Sequence, residues 1–182
     1  MTDTEFFEFA LRMGDNALIL GQQVSAWCGH APALEEDIAL ANTALDLIGQ
    51  SKLWLTLAGE VENNSRSADA LAYLRDARAF RNCLLVEQPN GDFGSTLMRQ
   101  FLFDAWHAPM LTALTQSSEK RVAEIAAKAA KEAAYHFDRS RRGEEARRMA
   151  KRWAEQVSSP AAGAGDVSVG AILALAYPEL RR

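Results

Sequence analysis

Between residues 4 and 28 apolar side chains recur at alternating steps of four and three. Phe6, Ala10, Met13, Ala17, Leu20, Val24 and Trp27 form one unbroken stripe with the period of an α-helix. A second stripe, Phe7, Leu11, Gly14, Leu18, Gly21, Ser25 and Cys28, runs beside it, so the pattern predicts a first helix covered on two sides. Asp15 falls with Glu8, Arg12 and Gln22 in the remaining sector and is expected at the surface or at an interface. The CGHAP segment ends this helix, because Gly29 suits a helix C-terminus and Pro32 cannot extend the hydrogen-bond ladder.

The second predicted helix runs from about Ala33 to Val61, with Glu35, Glu36 and Asp37 at its positive end and a core stripe of Leu34, Ile38, Ala41, Leu45 and Ile48. Asp46 shares a mixed stripe with Asn42, Gly49 and Leu53 at the edge of that core. ENNSRS at 62–67 is a polar break, and the stretch up to Gln88 reads as one or two short helices. QPNGD follows as a turn in which Asp92 caps a third helix, from about Phe93 to Gln116. Pro109 lies inside it and should kink it just after His107. A fourth helix covers about Glu119–Ser140, with Val122, Ile125, Ala126, Ala129 and Ala133 on one face. No segment alternates long enough for a sheet, which leaves an all-α fold: an antiparallel bundle of four long helices over residues 1–140. Residues 141–182 read differently, as a basic amphipathic helix, a Pro/Gly/Ala linker and a short apolar tail.

Charge sharpens that boundary. Residues 1–138 hold 11 Lys/Arg against 19 Asp/Glu, net −8, whereas residues 139–182 hold 9 against 5, net +4. Between Arg139 and Arg152 there are seven Lys/Arg and two Glu. Without aromatic interleaving or a binding module, this reads as a solvated helix face sooner than as a nucleic-acid contact. Cys28 and Cys83 are the only cysteines and are expected as free thiols. No membrane span, signal peptide or phosphate-binding loop is indicated, so the expected compartment is the cytoplasm.

The chemistry concentrates on inward polar residues. Asp104 shares a stripe with Leu97, Phe101, Ala108 and Leu111, while Glu132 and His136 join the apolar face of the fourth helix. His107, three residues after Asp104, lies toward the flank. Buried charges need partners or a metal. One reading is a di-iron oxygenase centre built from Asp46, Asp104, His107, Glu132 and His136. That chemistry asks for four inward carboxylates and two Glu-x-x-His pairs. This chain has three histidines, and its one acidic-x-x-His spacing is Asp104/His107. The competing reading is a structural network in which His136, with Lys52 or an arginine, neutralises the carboxylates. VEQPNGD admits both a contact-loop and a simple turn reading, and Trp27, Trp54 and Trp106 read as packing or interface anchors.

Four segments in order, LRMGDNALILGQQVSAWCGHAPALEEDIALANTALDLIGQ, LLVEQPNGDF, RQFLFDAWH and KEAAYHFDRS, resemble the PaaC family, one of the components of the multisubunit phenylacetyl-CoA ring 1,2-epoxidase. The resemblance covers about residues 5–140. It implies a ferritin-like helical bundle that binds no cofactor and serves as a structural companion. A separate catalytic subunit would hold the di-iron centre and the CoA thioester, with electrons arriving from a flavin and iron–sulfur reductase. The resemblance also implies a degenerate metal site. Asp46 and Gly49 fall where a metal-binding relative carries Glu-x-x-His, Tyr135 falls where a histidine is needed, His136 is displaced by one, and Asp104 alone is filled in kind. The resemblance fades near residue 140, where family members continue with further helices, so part of the bundle's apolar surface is expected to be exposed. The ending GDVSVGAILALAYPELRR faintly resembles a segment of DEAH-type RNA helicases; no motor motif accompanies it.

Overall fold

The computed structural model describes residues 2–142 other than 63 and 65, together with residues 148 and 151. Five α-helices, α1 (Asp3–Ser25), α2 (Leu34–Val61), α3 (Ala68–Tyr73), α4 (Phe93–Leu114) and α5 (Lys120–Arg142), are joined by turns and one 3-10 turn at Ala77–Ala79, and among the described residues there is no strand. The linker and apolar tail expected beyond residue 152 lie outside the described residues, as does most of the basic stretch from 143 to 152.

Local chemistry accounts for the element ends. Thr2 caps α1 in a reciprocal capping box with Glu5, and α1 stops at Ser25, short of the stripe ends at Trp27 and Cys28, where the chain turns over to Gly29 at φ 79°. Asp37, in the first turn of α2, accepts from Gly29 N at 2.8 Å and so ties that turn to the helix it precedes. Ser67 caps the short α3. Asp92 caps α4 as its position suggested, accepting from Ser95 N at 2.7 Å after Gly91 at φ 60°. α4 continues through Pro109 to Leu114.

α1 packs lengthwise on α2 and α4 on α5, and the two hairpins meet through α2 and α5. Both stripes of α1 are buried, from Ala10, Met13, Ala17, Leu20 and Val24 to Leu11, Gly14, Leu18 and Gly21. Gly14 marks the closest pass: a Cβ there would stand 2.6 Å from Leu55 Cδ2. Apolar packing forms two clusters, one around Trp54, Leu55, Leu111 and Ile125, the other around Leu20, Leu40, Leu47, Leu97 and Phe103.

Two expectations are corrected. The buried face of α2 carries Leu40, Ala44, Leu47, Trp54, Leu55 and Ala58, whereas Leu34, Ile38, Leu45 and Ile48 are exposed and Ala41 is half-buried. This helix is apolar on opposite sides. The side that continues to Ala58 and carries Trp54 packs, and from the other side Ile48, 38% exposed, also reaches α1 beside Gly21. Asp15, expected at the surface, is fully buried. Its carboxylate takes a fork of two bonds from Arg75, one at 3.0 Å, and a third from Arg81 N at 2.8 Å. Arg75 also donates to Leu71 O and Ala79 O and lies 4.2 Å over the Phe80 ring, so one ion pair fastens residues 71–81 to α1.

Candidate functional site

α2, α4 and α5 each turn polar side chains inward at the same level. On α4, Asp104 and His107 are both buried, so His107 belongs to the interior and not to a flank. Gln100 lies one helical turn before Asp104, and its Nε2 donates to Asp104 Oδ2 at 2.9 Å. From α2, Gln50 Nε2 donates to Glu132 Oε2 on α5 at 2.9 Å. His136, one turn further along α5, places Nε2 3.0 Å from Asp46 Oδ2 on α2. At the end of α5, Arg139 reaches Glu36 at 2.5 Å. The antiparallel run of α2 against α5 sets this ladder, since Glu36, Asp46 and Gln50 meet Arg139, His136 and Glu132 in reverse order.

The geometry corrects the partner expected for Asp104. His136 does not neutralise it; His136 is engaged by Asp46, and Lys52 is exposed to solvent. Asp104 meets an uncharged amide, with Arg139 acting on it only at a distance. Burial therefore raises its carboxyl well above the usual range, opposed in part by Gln100, and favours the neutral acid. Burial also lowers His107 to about 4, helped by the nearby His136, so its imidazole is neutral at physiological pH. His136 is lowered mainly by burial, against the pull of Asp46. Glu132 is raised by burial and by Asp46, with Gln50 and Lys128 opposing.

This arrangement does not fit the di-iron reading. Among the described residues no three His, Cys, Asp or Glu side chains stand close enough to hold a metal ion. The carboxylates and imidazole that would be needed are joined to Gln50, Gln100 and one another. Gly49 offers no donor and Tyr135 is exposed on the outer side of α5. Several atoms of the network, Gln50 Oε1, Gln100 Oε1, Asp104 Oδ1, His107 Nδ1 and His136 Nδ1, have no hydrogen-bond partner among the described residues. They do not form a nucleophile–base pair.

Gln50 and Gln100 carry half of this network, and a sequence reading confined to acids and histidines misses them. For one of them a signal is present: Gln100 precedes Asp104 by four, the spacing at which helix side chains meet, whereas Gln50 pairs across helices with Glu132 and no spacing marks it. The other candidates resolve structurally. In QPNGD, Asn90 donates to Gln23 O at 2.8 Å and accepts from Arg99 at 2.6 Å, and Trp27 Nε1 donates to Thr96 at 2.9 Å, so the turn is riveted to α1 and α4. Trp54 is fully buried against Phe9, whereas Trp106 is exposed. Arg139, Arg141 and Arg142 of the basic stretch are engaged by Glu36 and Asp138.

No helix of the described residues is long and apolar enough to cross a membrane. A model of the phenylacetic acid catabolic protein family matches residues 1–156. The C subunit of the 1,2-phenylacetyl-CoA epoxidase of Escherichia coli (strain K12) is 51% identical over 133 residues, 73% of this chain and 53% of that protein. The chain thus spans about half the length of the curated relative it matches. A ferritin-like arrangement of long helices, a family match over most of the chain and a relative at this level of identity lead to one conclusion: the chain belongs to the phenylacetic acid catabolic protein family.

Proposed function

We propose that this chain is a non-catalytic structural subunit of a phenylacetyl-CoA 1,2-epoxidase complex that works in the cytoplasm in phenylacetate degradation. One observation carries the reading: the polar centre uses its own candidate ligands as hydrogen-bond partners, Gln50 with Glu132, Gln100 with Asp104 and His136 with Asp46. The chain itself binds no cofactor. The di-iron centre and the oxygen chemistry reside on the catalytic subunit, which this bundle supports, and a reductase component delivers electrons to the complex. The relative's designation as a subunit of such an epoxidase supports the assignment.

The test is co-expression with the catalytic partner, purification by a tag on one chain, and assay of the complex carrying Asp104→Asn or Glu132→Gln here. The two chains should co-purify, with turnover within about twofold of wild type. Removing a proton-transferring group costs on the order of 10²–10⁴-fold. A loss of that size in a complex that still assembles would contradict the proposal, as would failure of the wild-type chains to associate.

A further inference from the structure

The QPNGD turn contains an Asn-Gly pair, and no other asparagine of the chain is followed by glycine. Such a pair sets a backbone nitrogen next to a side-chain amide, and glycine leaves that nitrogen without a flanking Cβ. Gly91 is exposed and stands at φ 60°, and its N–H donates to nothing among the described residues. It is free of competing bonds and open to water. Asn90 beside it is held at both ends of its amide: Nδ2 donates to Gln23 O at 2.8 Å, and Oδ1 accepts from Arg99 Nη2 at 2.6 Å.

Arg99 gives this contact its chemical weight. It is 3% exposed, and among the described residues no carboxylate pairs with it; burial, with no acid opposing it, lowers it from the usual guanidinium range. Its second bond goes to Gln88 O at 2.5 Å, and its Nε has no partner among the described residues. A buried cation matched only by neutral oxygens lacks a counter-ion. Two consequences for Asn90 follow. The guanidinium on Oδ1 stands where negative charge develops when a nucleophile adds to Cγ, which is the task of an oxyanion donor. Arg99 also gains its missing counter-ion if the amide becomes a carboxylate.

We propose that Asn90 deamidates in the folded chain, with Gly91 as the nucleophile and Arg99 as the group that promotes and directs the reaction. Gly91 N adds to Asn90 Cγ, the Cγ–Nδ2 bond breaks, and ammonia leaves with the proton that Gly91 N gives up, closing a succinimide. Water then opens the ring. Attack at Cγ yields aspartate; attack at the main-chain carbonyl yields isoaspartate, in which the chain runs through the side chain. Thr96 Oγ1 donates to that main-chain carbonyl at 2.8 Å, but a hydroxyl polarises less than the guanidinium on the Cγ side. The fold therefore selects aspartate, whereas an unconstrained Asn-Gly ring opens mainly to isoaspartate. The new carboxylate pairs with Arg99 and cannot donate to Gln23, so the turn is fastened to α4 and loosened from α1.

The test is incubation of the full folded chain at mildly alkaline pH in water enriched in heavy oxygen, followed by peptide mass spectrometry that separates the two products. Position 90 should take up label, with aspartate exceeding isoaspartate, and the order should reverse in the same chain held unfolded in denaturant. Loss of a positioned oxyanion donor costs on the order of 10²–10³-fold in rate, so Arg99→Gln should slow the conversion at least about tenfold. An amide that persists at position 90 in the folded chain while the unfolded chain converts would overturn the proposal. So would isoaspartate predominating in the folded chain, or conversion in Arg99→Gln as fast as in wild type or faster.

Discussion

Asp104 is the residue at which the energetic tension of this bundle is greatest, because a fully buried carboxyl has an amide and no cation beside it. Its folded-state pKa is raised, so the folded chain holds a proton that the unfolded chain releases near pH 4. Stability contributed by that proton is complete below the unfolded value and is lost as pH rises toward the folded one, with a slope of up to about 1.4 kcal/mol per pH unit. Asp104→Asn cannot ionise and keeps an acceptor for Gln100. Denaturant titrations should therefore show the variant gaining on wild type as pH is raised from about 4.5 to about 8, through the window above the unfolded value; a constant difference would mean that Asp104 is ionised throughout. Asp15 presents the opposite case, a buried carboxylate fully matched by Arg75. Arg75→Ala leaves it unmatched and should cost about 3–5 kcal/mol in the same measurement. Inward placement of Asp104, Glu132 and His136 was legible from helical spacing. Asp15 was not, because its partner lies 60 residues away in a segment without periodicity, and sequence spacing carries no information on such a pair.

Among the elements, α1 and α2 carry opposite lessons. Two adjacent apolar stripes on α1 announce burial on both sides, and both are buried. On α2 the two stripes are opposed, and period alone cannot choose between them; it points as readily to the exposed one. The selecting feature is Gly14, whose missing side chain admits Leu55 and fixes which side of α2 meets α1. Gly14→Ala should force Leu55 from its seat and lower stability by about 1–3 kcal/mol. Gly49→Ala, with open space around it, should raise the stability of the free chain by up to about 1 kcal/mol. Equal effects at the two sites, read by thermal unfolding, would contradict the packing described. Turn chemistry was the most readable part of the connections, with Asp92, Asn90 and Gly91 acting as their residue types suggest.

At the scale of the whole molecule, the bundle and its family membership were legible because several long segments retain both helical pattern and order. The network at its centre was legible only in outline, since acids and imidazoles stand out as possible ligands and the two glutamines that hold them do not. Those glutamines pair Glu132 and Asp104, as His136 pairs Asp46, and on these pairings the proposed structural role depends. The role is tested most directly by the iron content of the purified chain, expressed alone in iron-supplemented medium and again in complex with the catalytic partner. A structural role predicts negligible iron on the chain alone, with the metal of the complex held by its partner. Iron bound stoichiometrically by the isolated protein, and lost when Asp104 and His136 are replaced, would contradict it.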